Sequence, residues 1–162
     1  MPNEPATPGT RFGPETLRAL KVLLRFVGSM ELLALVAVFM PRSYMDATHR
    51  VLGMGPLPSE PVVGYLARTV SLFYALQGGL LWWVSFDPPH HRSVLRYMSW
   101  AYVLFGLITL GIDLLEGMPG FWVAGEGPVV ILIGALMLLL RPRPSPASSP
   151  MQADLGILHD RS

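Results

Sequence analysis

Residues 131–140 read Ile131-Leu132-Ile133-Gly134-Ala135-Leu136-Met137-Leu138-Leu139-Leu140, a run without one polar side chain. A helix on the surface of a water-soluble domain keeps a polar face along its length. This stretch has none, and neither has Leu32 to Met40. The run therefore reads as part of a membrane helix, since about 20 mostly apolar residues cross roughly 30 Å of hydrocarbon. Working outward, four segments qualify, at residues 22–40, 62–86, 94–115 and 121–140. Pro41, Pro88, Pro119 and Pro142 lie just beyond their ends, where the ring and the missing N–H stop a helix.

Composition points the same way. Of 162 residues, 51% are apolar and 14% are charged, whereas a soluble domain carries nearer a quarter charged residues. The net charge of +1 offers nothing to nucleic acid. Absence of cysteine excludes disulfides, thiol nucleophiles and thiolate-held metals. The fold class expected is all-α, a four-helix transmembrane bundle with up-down topology. A membrane domain over 21–141 is expected between a disordered N-terminal tail, 1–20, and a Pro/Ser-rich C-terminal tail, 142–162. The polar, proline-bearing opening residues show no cleavable signal peptide.

Lys and Arg cluster in the N-terminal flank (Arg11, Arg18, Lys21, Arg25), between spans two and three (Arg92, Arg96) and after span four (Arg141, Arg143, Arg161). The opposite side has only Arg42 and Arg50. By the positive-inside rule both termini face the cytoplasm, and the expected location is a bacterial inner membrane. The one sizeable loop, 41–61, is expected outside. Ser43 with Asp46 three residues on can open a short amphipathic helix there, with Tyr44, Met45, His49 and Leu52 on one side and Gly53 and Gly55 ending it.

Charge inside a span costs at least about 2.5–3.5 kcal/mol, so each instance needs a reason. The residues concerned are Glu31, Arg68, Asp113 and Glu126, one in each span. All four fall at depths where they can meet in the outer half of one bundle. Gly64, Arg68, Ser71, Ala75 and Gly79 form a small, polar stripe on span two, and Ser99, Tyr102, Gly106, Thr109, Asp113 and Glu116 form another on span three. Packing these stripes together sets Arg68 opposite Asp113 and points Gln77 away. One guanidinium then faces three carboxylates, so at least one acid, Glu31 being deepest, is expected to be neutral or to hold a cation. A helix restart at Pro128 would favour ionised Glu126. His49, Ser71, Tyr102, Thr109 and Glu116 are the expected pocket lining around this buried polar cluster. The competing reading is an ion-pair latch that only holds the bundle.

No catalytic residue, metal site or cofactor is assigned. No histidine lies within a span, which argues against a haem held between helices. His90-His91 beside Asp87 reads as a solvated loop before it reads as a metal clip. No GxSxG, HExxH, phosphate-loop or dinucleotide glycine pattern occurs.

The four short spans, the opening Leu24-Arg25-Phe26-Val27-Gly28 and Leu66-Ala67-Arg68 followed by Gly78-Gly79 resemble the DoxX-like family of small bacterial membrane proteins. Phe39-Met40-Pro41-Arg42 stands where that group often has a second glycine and a lysine. The resemblance implies a four-helix inner-membrane protein, sometimes an accessory to redox enzymes. The expected function is thus an accessory protein binding a lipid, a quinone or another apolar small molecule, or a partner subunit or second copy. A membrane enzyme doing acid/base chemistry on a lipid-like substrate, with Glu31 and Asp113 as acid and base, and a proton or ion conduit are the alternatives.

Overall fold

The computed structural model describes residues 14–141. The segments 1–13 and 142–162, where most of both expected tails fall, lie outside the described residues. The chain is all-α. Its helices are α1 (Pro14–Leu32), α2 (Leu35–Phe39), α3 (Arg42–Val51), α4 (Pro61–Phe86), α5 (Arg92–Leu115), α6 (Gly120–Gly125) and α7 (Gly127–Leu140). α1 opens at Pro14, inside the stretch expected to be tail, with Glu15 in its first turn. Both features favour a helix N-terminus.

α1 runs into α2, and α6 into α7, as two interrupted rods, so the described residues make five. Three of them, Pro14–Phe39, Arg92–Leu115 and Gly120–Leu140, are long and apolar enough to cross a membrane. This is consistent with a multi-pass membrane protein. α4 matches them in length with 26 residues but is not among the three. It carries Arg68 and Gln77 within its length. The outward faces are apolar: Phe26, Phe39, Phe73, Leu115 and Leu139 are all more than three-fifths exposed. Water would penalise such a surface, and lipid tails would not.

The rods associate as two antiparallel pairs, each held by small residues. α1 and α2 lie along α4, and α5 lies along α7. In the first pair Gly28 and Gly78 meet backbone to backbone: a methyl on Gly78 would lie 2.5 Å from the Gly28 carbonyl oxygen. In the second, a methyl on Gly106 would lie 2.7 Å from the Gly127 carbonyl oxygen, and one on Gly134 would lie 2.8 Å from the Ser99 carbonyl oxygen. Close backbone approach at small residues is how helices gain dispersion contacts where lipid supplies no hydrophobic drive.

These contacts correct the expected arrangement. The stripes on the second and third segments are real, but they do not face each other. The α4 stripe, with Gly64 and Ala75 buried, lies on the side of α1 and α2, although it is the neighbouring Gly78 and not Gly79 that meets α1. The α5 stripe, with Ser99, Tyr102, Gly106 and Asp113 buried, packs mainly on α7. The pairs join through a core of Leu20, Leu24, Val27, Leu81, Val84, Leu95, Met98, Tyr102 and Met137 and through contacts of α1 with α7. Between α4 and α5 there is little packing beyond the turn that links them, and a cavity takes its place.

Candidate functional site: a cavity between two helix pairs

The cavity measures about 460 Å³, the size of a small-molecule site. Two helical stripes of matching period form its walls. Val70, Phe73, Tyr74 and Gln77 come from α4, and Ala101, Leu104, Phe105 and Ile108 come from α5. Each set is spaced i, i+3, i+4, i+7, which aligns side chains along one helix face. Glu31 from α1, Tyr102 from α5 and Val130 from α7 complete the lining. Phe73 and Ile108 remain more than half exposed, so the walls extend onto the outer surface of the helices. Tyr74 meets Phe105 edge to face, with ring centroids 6.5 Å apart.

The polar groups converge at one place. The Tyr102 hydroxyl donates to Glu31 Oε1. Glu31 Oε2 is buried with no hydrogen-bond partner among the described residues. Gln77 and Tyr74 line the same cavity from α4. An apolar cavity with a few polar groups in its lining is suited to orient a molecule that is greasy along its length and polar at one end.

Of the sequence-predicted site residues, Glu31 and Tyr102 line this cavity; Arg68, Asp113, Glu126, His49, Ser71, Thr109 and Glu116 do not. The Arg68 ion pair with Asp113 does not form: among the described residues the one salt bridge joins Arg50 to Asp46, at 2.9 Å. Arg68 instead donates Nε to the Val38 carbonyl at 3.2 Å, Nη2 to the Met40 carbonyl at 3.0 Å and Nη1 to the Gly64 carbonyl at 3.4 Å. Val38 and Met40 stand at the C-terminal end of α2, where the last carbonyls of a helix lack partners and the dipole is negative. The guanidinium satisfies both needs without a carboxylate.

Asp113 is 4% exposed, its Oδ2 unpartnered among the described residues. Glu126 accepts a hydrogen bond from Trp122 Nε1. It sits at the break between α6 and α7, with Gly127 and Pro128 following, so the helix restarts where the proline suggested. Glu116 is exposed, and Ser71 and Thr109 are half-buried. Among the described residues no three His, Asp or Glu side chains cluster as a metal site.

Tyr74 and Phe73 were not singled out by the sequence pattern, and Gln77 was placed on the far side of its helix. The signal available was the second stripe on the same segment, Val70, Phe73, Tyr74 and Gln77, overshadowed by the small-residue stripe beside it.

α3 forms as expected, with Met45 buried and Gly53 and Gly55 at φ of 77° and 78° ending it. Its start differs. Pro41 is the N-cap and no side chain caps the helix. Asp46 turns instead to the following loop, accepting from the Leu57 amide at 2.7 Å and pairing with Arg50. These two donors hold its carboxyl below the usual range, the Leu57 amide contributing most. Tyr44 is exposed, and His49 faces a second, smaller hollow rather than the cavity.

No protein family, curated protein or solved structure matches this chain. What stands is the general architecture of a multi-pass membrane protein.

Proposed function

We propose that the protein is a membrane accessory protein that holds an apolar small molecule with a hydrogen-bonding end, a lipid or a quinone, in the cavity between α4 and α5. The observation that carries this reading is the union, in one cavity of about 460 Å³, of two apolar helix walls with the Glu31–Tyr102 hydrogen bond. In this reading α4 is the fourth span, since its 26 residues rise about 39 Å. The rods then alternate in direction, and the Lys and Arg distribution sets both termini in the cytoplasm of a bacterium. Kinship with the DoxX-like group belongs to the same proposal and is supported by Leu24-Arg25-Phe26-Val27-Gly28 and Leu66-Ala67-Arg68.

Native mass spectrometry of the full chain in mild detergent tests it. A lipophilic mass should accompany the protein and be lost in Ala101→Phe, which fills the cavity while the Gly28–Gly78 and Gly106–Gly127 contacts remain. Absence of any bound mass, or its retention in the filled variant, would overturn the proposal.

A second reading has one observation in its favour. Glu31 and Tyr102 are proton-exchanging groups in direct contact within the cavity, the arrangement acid/base chemistry on a lipid-like substrate needs. Asp113 is not part of that cavity, so Tyr102 takes the place the sequence suggested for it. Turnover of a lipid panel that Glu31→Gln abolishes would favour this reading over simple binding.

A further inference from the structure

A second hollow, of about 240 Å³, lies where α2, α3, α4 and the loop after α3 come together. Its lining includes three methionines from three different segments: Met40 just after α2, Met45 in α3 and Met54 in the loop. His49 lines it as well. The lining contains no carboxylate. We propose that this hollow binds a soft monovalent metal ion, Cu(I), through the thioethers of Met40, Met45 and Met54 and through Nε2 of His49.

The imidazole is set up for this role. Its Nδ1 lies 2.9 Å from the Gly55 carbonyl oxygen. A carbonyl only accepts, so Nδ1 carries a proton, and in the neutral ring the lone pair then lies on Nε2. A backbone carbonyl holding the distal N–H of a histidine is the usual support behind a metal-binding imidazole, fixing both tautomer and ring plane.

The loop is equally fixed. Gly53 and Gly55 adopt positive φ, which turns the chain back over α3. The Met54 amide donates to the His49 carbonyl at 3.1 Å, and the Leu57 amide donates to Asp46. Met54 is thereby held against the helix that carries Met45 and His49, one of the two being buried.

The donor set selects the ion. Thioethers are soft ligands that favour Cu(I), whereas calcium and magnesium require oxygen and zinc prefers thiolate, imidazole or carboxylate. The ligands are neutral, which suits a single positive charge better than two. Two arginines are near, since Gly64, which also lines the hollow, has Arg68 Nη1 and Arg42 Nη1 beside it. Arg68 donates to the Val38, Met40 and Gly64 carbonyls and Arg42 to the Pro58 carbonyl. This site is separate from the lateral cavity and does not depend on what that cavity binds.

Full-length protein in detergent, titrated anaerobically with Cu(I) in the presence of a chromophoric Cu(I) chelator, tests the assignment. The wild type should withdraw one equivalent of Cu(I). Met45→Leu with Met54→Leu, which conserves apolar volume, should weaken binding by at least about tenfold, and His49→Gln should do the same. Circular dichroism of each variant reports whether the helices persist. Failure of the wild type to take Cu(I) from the chelator overturns the proposal. So does equal binding by a double methionine variant of unchanged helicity, which would put the ion on other sulfurs of the chain.

Discussion

Substituting alanine for each of two adjacent glycines in α4 should give changes of opposite sign. A methyl at Gly78 would meet the Gly28 carbonyl oxygen at 2.5 Å, the Leu32 amide nitrogen at 2.8 Å and Glu31 Cβ at 3.0 Å. Two of those three contacts are backbone atoms of α1, which cannot rotate out of the way. Relief requires α1 and α4 to move apart, which also disturbs Leu24, Val27 and Leu81 in the core. Overpacking of this kind costs about 1–3 kcal/mol. The gain in helix propensity from Gly to Ala, about 0.8–1 kcal/mol, offsets part of it. Gly78→Ala should therefore destabilise by up to about 2 kcal/mol, at that limit roughly a thirtyfold fall in the folding equilibrium constant. A methyl at Gly79 has no atom within 4 Å, so Gly79→Ala keeps only the propensity gain and should stabilise by up to about 1 kcal/mol.

Reversible unfolding in mixed micelles, as detergent is titrated from mild to denaturing, reads both changes. Tryptophan emission serves as the signal: Trp82 donates to Ser29 across this interface at 3.1 Å. Gly28→Ala is the reciprocal control, since its methyl would lie 2.8 Å from the Gly78 carbonyl oxygen. Equal stability of Gly78→Ala and Gly79→Ala would refute the α1–α4 pairing and, with it, the wall on which the cavity depends.

Arg68→Met should destabilise by about 1.5–3 kcal/mol through loss of charge-assisted bonds to the α2 carbonyls. A double-mutant cycle with Asp113→Asn should show the two effects adding to within about 0.5 kcal/mol, and a coupling well above that would restore the ion-pair latch. Asp46 predicts an acid-sensitive loop. Its pKa is lowered in the fold, so its contribution is present above the ordinary aspartate range near 4 and is lost as pH falls through the lowered value. Hydrogen exchange at the Leu57 amide should accelerate over that window, whereas in Asp46→Asn the rate should follow only the intrinsic pH dependence. In the other pair, Gly127→Ala places a methyl 2.6 Å from Leu110 Cβ and should loosen α5 from α7, lowering the thermal midpoint. Gly111→Ala, with nothing within 4 Å, should not.

The contrast between Arg68 and the helix stripes explains how much of this molecule its sequence reveals. The rods were legible because apolar runs and bounding prolines are written in side chains: the expected segment 62–86 and α4, Pro61–Phe86, differ by one residue. The stripes were legible too, because small residues recur at helical spacing. What spacing does not encode is the partner. A face of Gly, Ala and Ser fits any similar face, and α4 chose α1 where α5 had looked equally complementary. The cavity follows from that choice, since it occupies the side of α4 that pairing with α1 leaves free. The destination of Arg68 was hidden for a different reason. Counting charges directs a guanidinium to carboxylates, which carry letters in the sequence. The acceptors it uses are main-chain carbonyls, and every residue has one. They become attractive only where a helix ends, and α2 ends at Phe39 because Pro41 follows. Across the break between α1 and α2 the Ala34, Val36 and Ala37 amides bond three residues back rather than four, a tightening that no residue type announces. A half-buried arginine opposite a proline-stopped helix therefore has two candidate partners from sequence alone, an acid or a helix end. Only the second needs no ionised acid beside the guanidinium, and it is the one Arg68 takes, through the Val38 and Met40 carbonyls.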